Sequence, residues 1–148
     1  MIDQNIFDPK INFHGAKGLI FIGEQVLVYR RDGRTNNLPF RIDLPGGGRE
    51  QHESPFETFR REVKEEFGIN IKSEDIVYSK QYMSVIDPTM EAYFLVAKPK
   101  GVTFSDVTPS YEVPEPIIMD VKEYLSLTDS IPRHVDRVKE YLSAVDNK

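Results

Sequence analysis

The sequence predicts an α/β fold of the mixed α+β type, in which a mixed central sheet is covered by helices on both faces. Three observations support this class. Segments with strand and helix patterns follow one another in the order β-β-β-α-β-β-β-α-α. The two longer helical segments, at about 55–67 and about 132–144, each carry one apolar stripe that needs a partner layer. With 148 residues and no internal repeat, residues 1–148 are predicted to form a single domain with a substantial core.

The first part of the chain is predicted to contribute an arm and three strands. Residues 1–13 are expected to form a lead-in strand or an N-terminal arm. Residues 19–22 and 25–30 are apolar segments on either side of Gly23, which suits the first position of a two-residue hairpin turn. Residues 40–44 alternate apolar and polar side chains, which predicts a strand that leads into a glycine-rich loop.

The helix with the strongest sequence signals runs from Pro55 to about Phe67. Ser54 and Glu57 have the spacing of a capping box, in which each side chain accepts a hydrogen bond from the other residue's backbone N–H. Pro55 suits the first helical position because its missing N–H is not needed there. Gly68 is placed to end the helix in a left-handed conformation.

Three carboxylates lie within a single turn of this helix, shortly after the glycines at 46–48. Glu62, Glu65 and Glu66 fall on an arc beside the apolar stripe, at the rim of the buried face. Carboxylates this close repel one another, so a cation is expected nearby. Mg²⁺ prefers hard oxygen ligands and is often shared with a substrate phosphate. The alternative is an ordinary solvated helix face with ion pairs along it.

The second half of the chain predicts another hairpin, a long loop, a short strand and two helices. In order, these segments are 76–85, 92–97, 99–116, 117–119, 120–127 and 132–144. A loop as long as 99–116 inside a compact domain is often functional, and it carries the carboxylates of Asp106, Glu112 and Glu115. Such a carboxylate either takes part in a functional site or is simply solvated on the loop, and both interpretations are kept for Glu112.

The composition limits the kinds of partner. The net charge is −5 and there is no basic block, which argues against binding to duplex nucleic acid. The absence of cysteine excludes disulfides and thiol chemistry. The N-terminus lacks the layout of a signal peptide, and no apolar run is long enough to cross a membrane. A cytoplasmic protein that does not bind membranes is therefore expected.

Nine residues between 47 and 69 fit one spaced pattern, G-x5-E-x7-R-E-U-x-E-E-x-G-U, in which U is aliphatic. They are Gly47, Glu53, Arg61, Glu62, Val63, Glu65, Glu66, Gly68 and Ile69. From average residue usage, a chance match in a chain of this length has a probability on the order of one in a few hundred thousand. The pattern resembles the signature of the Nudix hydrolases, the MutT-like family, at every specified position.

This resemblance implies a fold and a reaction. The implied fold is the Nudix α/β/α sandwich with a mixed central sheet and a loop-helix-loop catalytic motif, the box at 47–69. The implied reaction is Mg²⁺-dependent hydrolysis of a diphosphate linkage in a nucleoside diphosphate derivative, with a nucleoside triphosphate as the first choice of substrate. The alternatives are a nucleotide-sugar pyrophosphatase and a nucleotide-binding module without catalysis. A homodimer is one option for the assembly.

The resemblance also implies site residues. The metal, Mg²⁺ with Mn²⁺ as an alternative, is expected to bind Glu62, Glu65, Glu66 and the carbonyl of Gly47. The catalytic set is expected to comprise Glu53, Arg61, Glu62, Glu65, Glu66 and Glu112. Arg61 is expected to pair with Glu53 or Glu62, and the general base is left open between a box glutamate and Glu112.

Substrate contacts are expected from outside the box. Arg30 ends the second predicted strand, and Arg31 and Arg34 follow it. All three are expected to face the substrate phosphates; the alternative is a solvated turn. Tyr82 is expected to stack on the base, although tyrosines in strands more often pack in the core. The three histidines are scattered, and none has a partner at the spacing of a metal site.

Overall fold

A computed structural model of the protein describes residues 2–34 and 38–146. In chain order the strands and helices are β1 (Phe13–Ile22), β2 (Gln25–Arg30), β3 (Ile42–Asp43), β4 (Gly46–Gly48), α1 (Pro55–Phe67), β5 (Ile76–Met83), β6 (Glu91–Ala97), β7 (Ile117–Asp120), α2 (Val121–Ser126) and α3 (Pro132–Asp146). Short 3-10 turns lie at Gln4–Phe7, Ser73–Asp75 and Phe104–Asp106.

The seven strands form a mixed sheet with the order β3-β2-β1-β6-β5, in which β4 pairs with β1 and β7 pairs with β2. The long strand β1 lies at its centre and runs parallel to β6. On its other edge, the first half of β1 pairs with β4 and the end of β1 pairs with β2, both antiparallel. The predicted α/β class with a mixed sheet is confirmed.

Two hydrophobic clusters cover the two faces of this sheet. Phe59, Val63 and Phe67 of α1 pack in one cluster, with every second residue of the central strands. Tyr124 of α2 and Val138 of α3 pack in the other, with the intervening residues of the same strands. Because side chains alternate between the faces of a strand, the sheet lies between α1 and the pair α2 and α3. The structure is thus the predicted α/β/α sandwich.

The local signals for hairpins and caps are borne out. Phe21 lies opposite Val26 across the first hairpin, and Gly23 in its turn has φ +64°. At the start of α1, the Glu57 backbone N–H donates to Ser54 Oγ, and the Ser54 N–H donates to Glu57 Oε1. Gly68 ends α1 with φ +73°.

Two parts of the strand prediction are wrong. The segment predicted as a strand at 40–44 pairs only at Ile42–Asp43, because the backbone of Phe40 is in the left-handed region, with φ +62°. The glycine-rich loop is instead the strand β4. Gly46 has φ +122°, and a Cβ there would lie 2.2 Å from the carbonyl oxygen of Ala16. Glycine therefore lets β4 approach β1 closely enough to pair with it.

At the N-terminus, the arm contains the 3-10 turn Gln4–Phe7, which buries Ile6 against the cluster under α1. Its last residue, Phe13, already belongs to β1. At the other end of the chain, α3 extends two residues beyond the predicted limit of 144. Among residues 2–34 and 38–146, no helix is long and apolar enough to span a membrane.

Candidate active site

A cavity of about 480 Å³ opens beside β1, at the point where the pairing partner of β1 changes from β4 to β2. Its walls are formed by β1, β4, one side of α1, the turn after β5, the loop before β7 and the start of α3. Its charged lining residues fall into an acidic group, a central group around Asp43 and a basic group. The acidic group is Glu62, Glu66 and Glu112, and the basic group is Arg133 and Arg137. Lys17 and Arg31 contact Asp43 in the central group, and Asp32 and Arg34 also line the cavity.

The acidic group brings together residues from α1 and from the loop before β7. Glu62, Glu66 and Glu112 each offer a carboxylate oxygen, and these three oxygens lie within 4.8 Å of one another. Glu62 and Glu66 are one helical turn apart on α1. Glu112 is exposed at the cavity mouth, whereas Glu66 is buried. Such a set of hard oxygen donors fits Mg²⁺ or Mn²⁺.

The backbone of β4 packs directly on these carboxylates. A Cβ on Gly47 would lie 2.6 Å from the carboxyl carbon of Glu62, so only glycine leaves room for that group. The backbone N–H of Gly46 donates to Glu66 Oε1 at 2.9 Å. The glycine strand therefore holds two of the three acidic side chains in place.

The acidic group has more negative charge than its protein neighbours neutralise. Burial raises the pKa of Glu66 to about 8, and the charges of Glu62 and Asp43 add to this, against Lys17 and the Gly46 N–H. Burial also raises the pKa of Glu62, although Arg61 opposes the shift. A cation bound here would stabilise both ionised carboxylates.

Arg61 connects Glu53 and Glu65, which do not line the cavity, to Glu62 and Gly48, which do. Its Nε lies 2.7 Å from Glu53 Oε2, and its Nη1 lies 2.9 Å from Glu62 Oε1. Its Nη2 donates to the carbonyl oxygen of Gly48 at 2.8 Å. The contacts expected of Arg61 with Glu53 and Glu62 are thus both present. Glu65 also contacts Arg61, at 3.3 Å, but its side chain is 49% exposed and lies outside the acidic group.

Asp43, at the centre of the cavity, was not predicted as a site residue. Its Oδ2 accepts hydrogen bonds from Lys17 Nζ and Arg31 Nε, both at 2.9 Å, and from the Tyr29 hydroxyl at 3.1 Å. Burial alone would raise the pKa of Asp43, but the charge of Lys17 and its other contacts hold it well below its usual range. Asp43 is therefore an anion whose charge is balanced within the protein.

His134 of α3 packs against this central group. Its Nδ1 lies 3.1 Å from Asp43 Oδ1, without the angle of a hydrogen bond. Burial lowers the pKa of His134 to about 4, although Asp43 favours the charged form. The imidazole is therefore neutral near pH 7. Neither Asp43 nor His134 has a local sequence signal, because their partners come from distant segments.

The residues predicted to contact the substrate divide into two groups. Arg31 and Arg34 line the cavity. Arg30 pairs instead with Asp129, at 2.5 Å, and does not line the cavity. Tyr82 also lies outside the lining, and the guanidinium of Arg137 lies 4.3 Å from the centre of its ring. The substrate roles of all four residues stay predictions.

Comparisons with known proteins agree with this architecture. A sequence model of the NUDIX domain matches residues 13–141. The MutT protein from Methanosarcina mazei Go1 is 24% identical and superposes with a TM-score of 0.71, covering 94% of this chain and 98% of that one. A NUDIX hydrolase from Nitrosomonas europaea is 19% identical, with a TM-score of 0.70 over 90% of this chain and 72% of that one.

A third structure holds ligands. It is a bifunctional NMN adenylyltransferase/ADP ribose pyrophosphatase from Francisella tularensis, complexed with AMP and a Mn ion. It is 16% identical, with a TM-score of 0.70, and the match covers 90% of this chain and 42% of that one. At these identities the three structures establish the shared fold. A comparison with curated proteins gives no match.

The fold is an α/β/α sandwich with an acidic group in its cavity. Because the domain model covers most of the sequence, the family follows directly. The chain belongs to the NUDIX family and is an enzyme of that family, as the spaced pattern at 47–69 predicts.

Proposed function

We propose that this enzyme catalyses the Mg²⁺-dependent hydrolysis of a diphosphate linkage in a nucleoside diphosphate derivative, with a nucleoside triphosphate as the leading substrate. The observation that carries this proposal is the acidic group, in which Glu62, Glu66 and Glu112 converge within 4.8 Å on one wall of the cavity. Mn²⁺ is the alternative metal.

Glu62, Glu66 and Glu112 are the residues that would hold the metal. Their oxygens are hard donors, and a divalent cation would favour the ionised form of Glu66, which burial and the charge of Glu62 disfavour. The carbonyl of Gly47 is proposed as a further ligand because β4 packs directly against Glu62. A bound divalent cation neutralises phosphate oxygens and lowers the pKa of a coordinated water.

The neighbouring residues have positioning roles in this proposal. Arg61 holds Glu62 through one Nη atom and is itself held by Glu53 and by the Gly48 carbonyl. Glu65 adds a weaker contact to the same guanidinium. An arginine fixed on several sides restricts the rotamers of Glu62, which lowers the cost of assembling the site. Glu53, Arg61 and Glu65 thus act through Glu62.

Glu112 is proposed to be the general base as well as a metal ligand, because one of its two carboxylate oxygens would face the metal and the other would be left to accept a proton. It lies in the acidic group yet is exposed to water, so it can accept a proton from the attacking water and release it to solvent. Glu66 is less suited to this exchange because it is buried and its carboxylate already accepts a hydrogen bond from Gly46.

A nucleotide sugar is the second candidate substrate. The Francisella tularensis protein is named as a bifunctional NMN adenylyltransferase/ADP ribose pyrophosphatase and is complexed with AMP and a Mn ion, which supports a nucleotide substrate and a divalent metal for this chain. Nucleoside triphosphates and nucleotide sugars share the diphosphate linkage, so the acidic group alone does not separate them.

The test is a phosphate-release assay over nucleoside triphosphates and nucleotide sugars, with Mg²⁺, Mn²⁺ or EDTA. Turnover is expected with a divalent metal and none with EDTA. Glu66→Gln is expected to lower kcat/KM by at least about tenfold, because loss of a direct ligand costs no less than loss of an outer one. Glu123→Gln, at an exposed position on α2, is the matched control and is expected to leave turnover unchanged.

The same assay separates catalysis from binding alone. Saturable nucleotide binding without metal-stimulated release from any substrate would contradict the proposal and favour a non-catalytic nucleotide-binding module. Equal turnover by the wild type and by Glu66→Gln would show that the acidic group is not the reaction centre.

A further inference from the structure

Two arginines of α3 form the basic end of the cavity. Arg133 and Arg137 are one helical turn apart and both line the cavity wall. Arg137 is 9% exposed, and Arg133 is half-buried. Within the described part of the chain, neither guanidinium has an ion pair or a hydrogen bond; Arg137 has only its contact with the Tyr82 ring.

This arrangement is unfavourable unless an anion binds. Burial lowers the pKa of Arg137, and the nearby charge of Arg133 lowers it further. Burial and the charge of Arg31 likewise lower the pKa of Arg133. Guanidinium groups nevertheless stay protonated in proteins, so two like charges face the same space. A buried charge without a counterion is among the more costly features of a fold.

The carboxylate whose charge acts on Arg133 is already engaged by other residues. Asp43 lies between the acidic and basic ends, and its Oδ2 accepts from Lys17 and Arg31. The charge of Asp43 favours the protonated form of Arg133, yet the two side chains do not form an ion pair. The counterion for Arg133 and Arg137 is therefore expected to come from a ligand in the cavity.

Building on the proposed function, we propose that Arg133 and Arg137 bind the substrate phosphate farthest from the acidic group. A guanidinium presents a planar fork of donors that matches a phosphate group in two hydrogen bonds. A nucleoside triphosphate has a phosphate beyond the two that form the cleaved linkage, whereas a nucleotide joined to a neutral sugar has none. The basic end thus selects nucleoside triphosphates over nucleotide sugars.

The first test needs neither metal nor catalysis. Inorganic triphosphate is titrated into the protein in EDTA, and binding is measured by calorimetry. The wild type is expected to bind, and Arg133→Gln and Arg137→Gln are each expected to weaken binding by about tenfold or more. Lys139→Gln removes the same charge from an exposed position on α3 and is expected to change binding less than twofold. Absence of binding to the wild type, or equal binding by the arginine variants, would overturn the proposal.

The thermal stability of the ligand-free protein shows whether Arg137 serves to bind a ligand or to stabilise the fold. Arg137→Met keeps an unbranched side chain over Tyr82 but removes the unpaired charge. Its Tm is expected to equal or exceed that of the wild type, while its affinity for inorganic triphosphate falls. A lower Tm with unchanged affinity would mean that Arg137 serves packing alone. If Arg137 variants do not fold, the half-buried Arg133→Gln decides the question in the same titration.

The second test uses substrate selectivity in Mg²⁺. For Arg137→Gln, the kcat/KM for a nucleoside triphosphate is expected to fall about tenfold, mainly through KM. The kcat/KM for a nucleotide joined to a neutral sugar is expected to change by less than about threefold. Equal losses for both substrates would refute the selectivity while leaving the proposed hydrolysis intact. If the wild type hydrolyses neither, the proposed function fails, and the metal-free titration still decides whether the arginines bind phosphate.

Discussion

The two ends of the cavity differ from its centre in how their charges are balanced. At the acidic end, Glu62 shares Arg61 with other carboxylates, and Glu66 is buried with a pKa raised to about 8. At the basic end, Arg133 and Arg137 have no carboxylate partner among the described residues. The protein therefore does not fully stabilise the ionised carboxylates at the acidic end, and it provides no carboxylate partner for the two guanidinium groups at the basic end.

The centre of the cavity shows the opposite arrangement. Asp43 is 1% exposed, and it accepts hydrogen bonds from Lys17, Arg31 and Tyr29. A buried charge with several good partners holds the surrounding elements in register but leaves little capacity for a ligand. The contrast suggests different roles for the three parts of the cavity. The ion pairs of Asp43 maintain its shape, the acidic end binds a cation, and the basic end binds an anion.

Asp43→Asn is expected to have the largest effect on stability. Asp43 is buried, and its replacement leaves the part-buried Lys17 and Arg31 beside a neutral amide. Removing one partner of a buried ion pair costs about 3–5 kcal/mol. Urea denaturation measures this loss. Asp129→Asn is the comparison, because its pair with Arg30 is roughly half-exposed and is expected to contribute much less to stability. Equal losses in the two variants would contradict the distinction between centre and surface.

The pH dependence of stability is the next largest expected effect. The pKa of His134 is about 4 in the folded protein and about 6.5 when unfolded, so the unfolded state binds more protons between these values. Its contribution to stability is therefore full above pH 6.5 and is lost as the pH falls toward 4, by up to about 3 kcal/mol. The difference between the wild type and His134→Gln isolates this part from the titration of Glu66. A flat difference between pH 4 and 7 would contradict the buried, neutral imidazole.

Gly47→Ala tests how closely the acidic end is packed. The new Cβ would lie 2.6 Å from the Glu62 carboxyl carbon and displace that group. A shift of about 1 Å in a catalytic side chain can cost up to about 100-fold in rate, so kcat/KM is expected to fall between about 10-fold and 100-fold. Gly48→Ala, one residue away in β4, meets nothing within 4 Å and is the matched control. Similar activities for the two variants would contradict the proposed role of β4.

Glu65→Gln is expected to have the smallest effect. Its carboxylate is half-exposed and contacts Arg61 at 3.3 Å, whereas Glu53 and Glu62 hold the same guanidinium at shorter distances. A steady-state assay is expected to show a loss in kcat/KM of less than about fivefold, because weak exposed ion pairs contribute little. A loss as large as that of Glu66→Gln would place Glu65 among the metal ligands, as the family resemblance implies.

The acidic end could be predicted because its residues are close together in the sequence. The capping box, the terminal glycine and the spacing of Glu62 and Glu66 are local signals, and α1 begins and ends where they indicate. Glu112 comes from a loop more than forty residues later, and its position among the acidic residues followed from the family resemblance rather than from local spacing.

The centre and the basic end could not be predicted in this way. Asp43 lies in a short strand, where an alternating pattern suggests a solvent-facing side chain, yet it is buried beside residues from β1, β2 and α3. Arg133 and Arg137 have the spacing of an ordinary solvated helix face. Only the packing of α3 against the sheet brings them into the cavity. Contacts between distant segments carry no local pattern.

The strand errors have a similar cause. The pattern at 40–44 is that of a strand, but Leu38 and Phe40 adopt left-handed backbone angles, which limits pairing to two residues. The glycines of β4 have low intrinsic strand propensity, and they form a strand because β1 accepts their backbone at close range. In both places tertiary contacts outweigh the local preference.

The claim that the acidic end binds a divalent cation is tested most directly by titration with Mn²⁺ in the absence of nucleotide, followed by electron paramagnetic resonance. The wild type and Glu123→Gln are expected to bind Mn²⁺ with the same affinity. Glu66→Gln is expected to bind it at least about tenfold more weakly, because it loses one anionic ligand of three. Equal Mn²⁺ affinity in the wild type and in Glu66→Gln would contradict the account, because the acidic end would then not be the cation site.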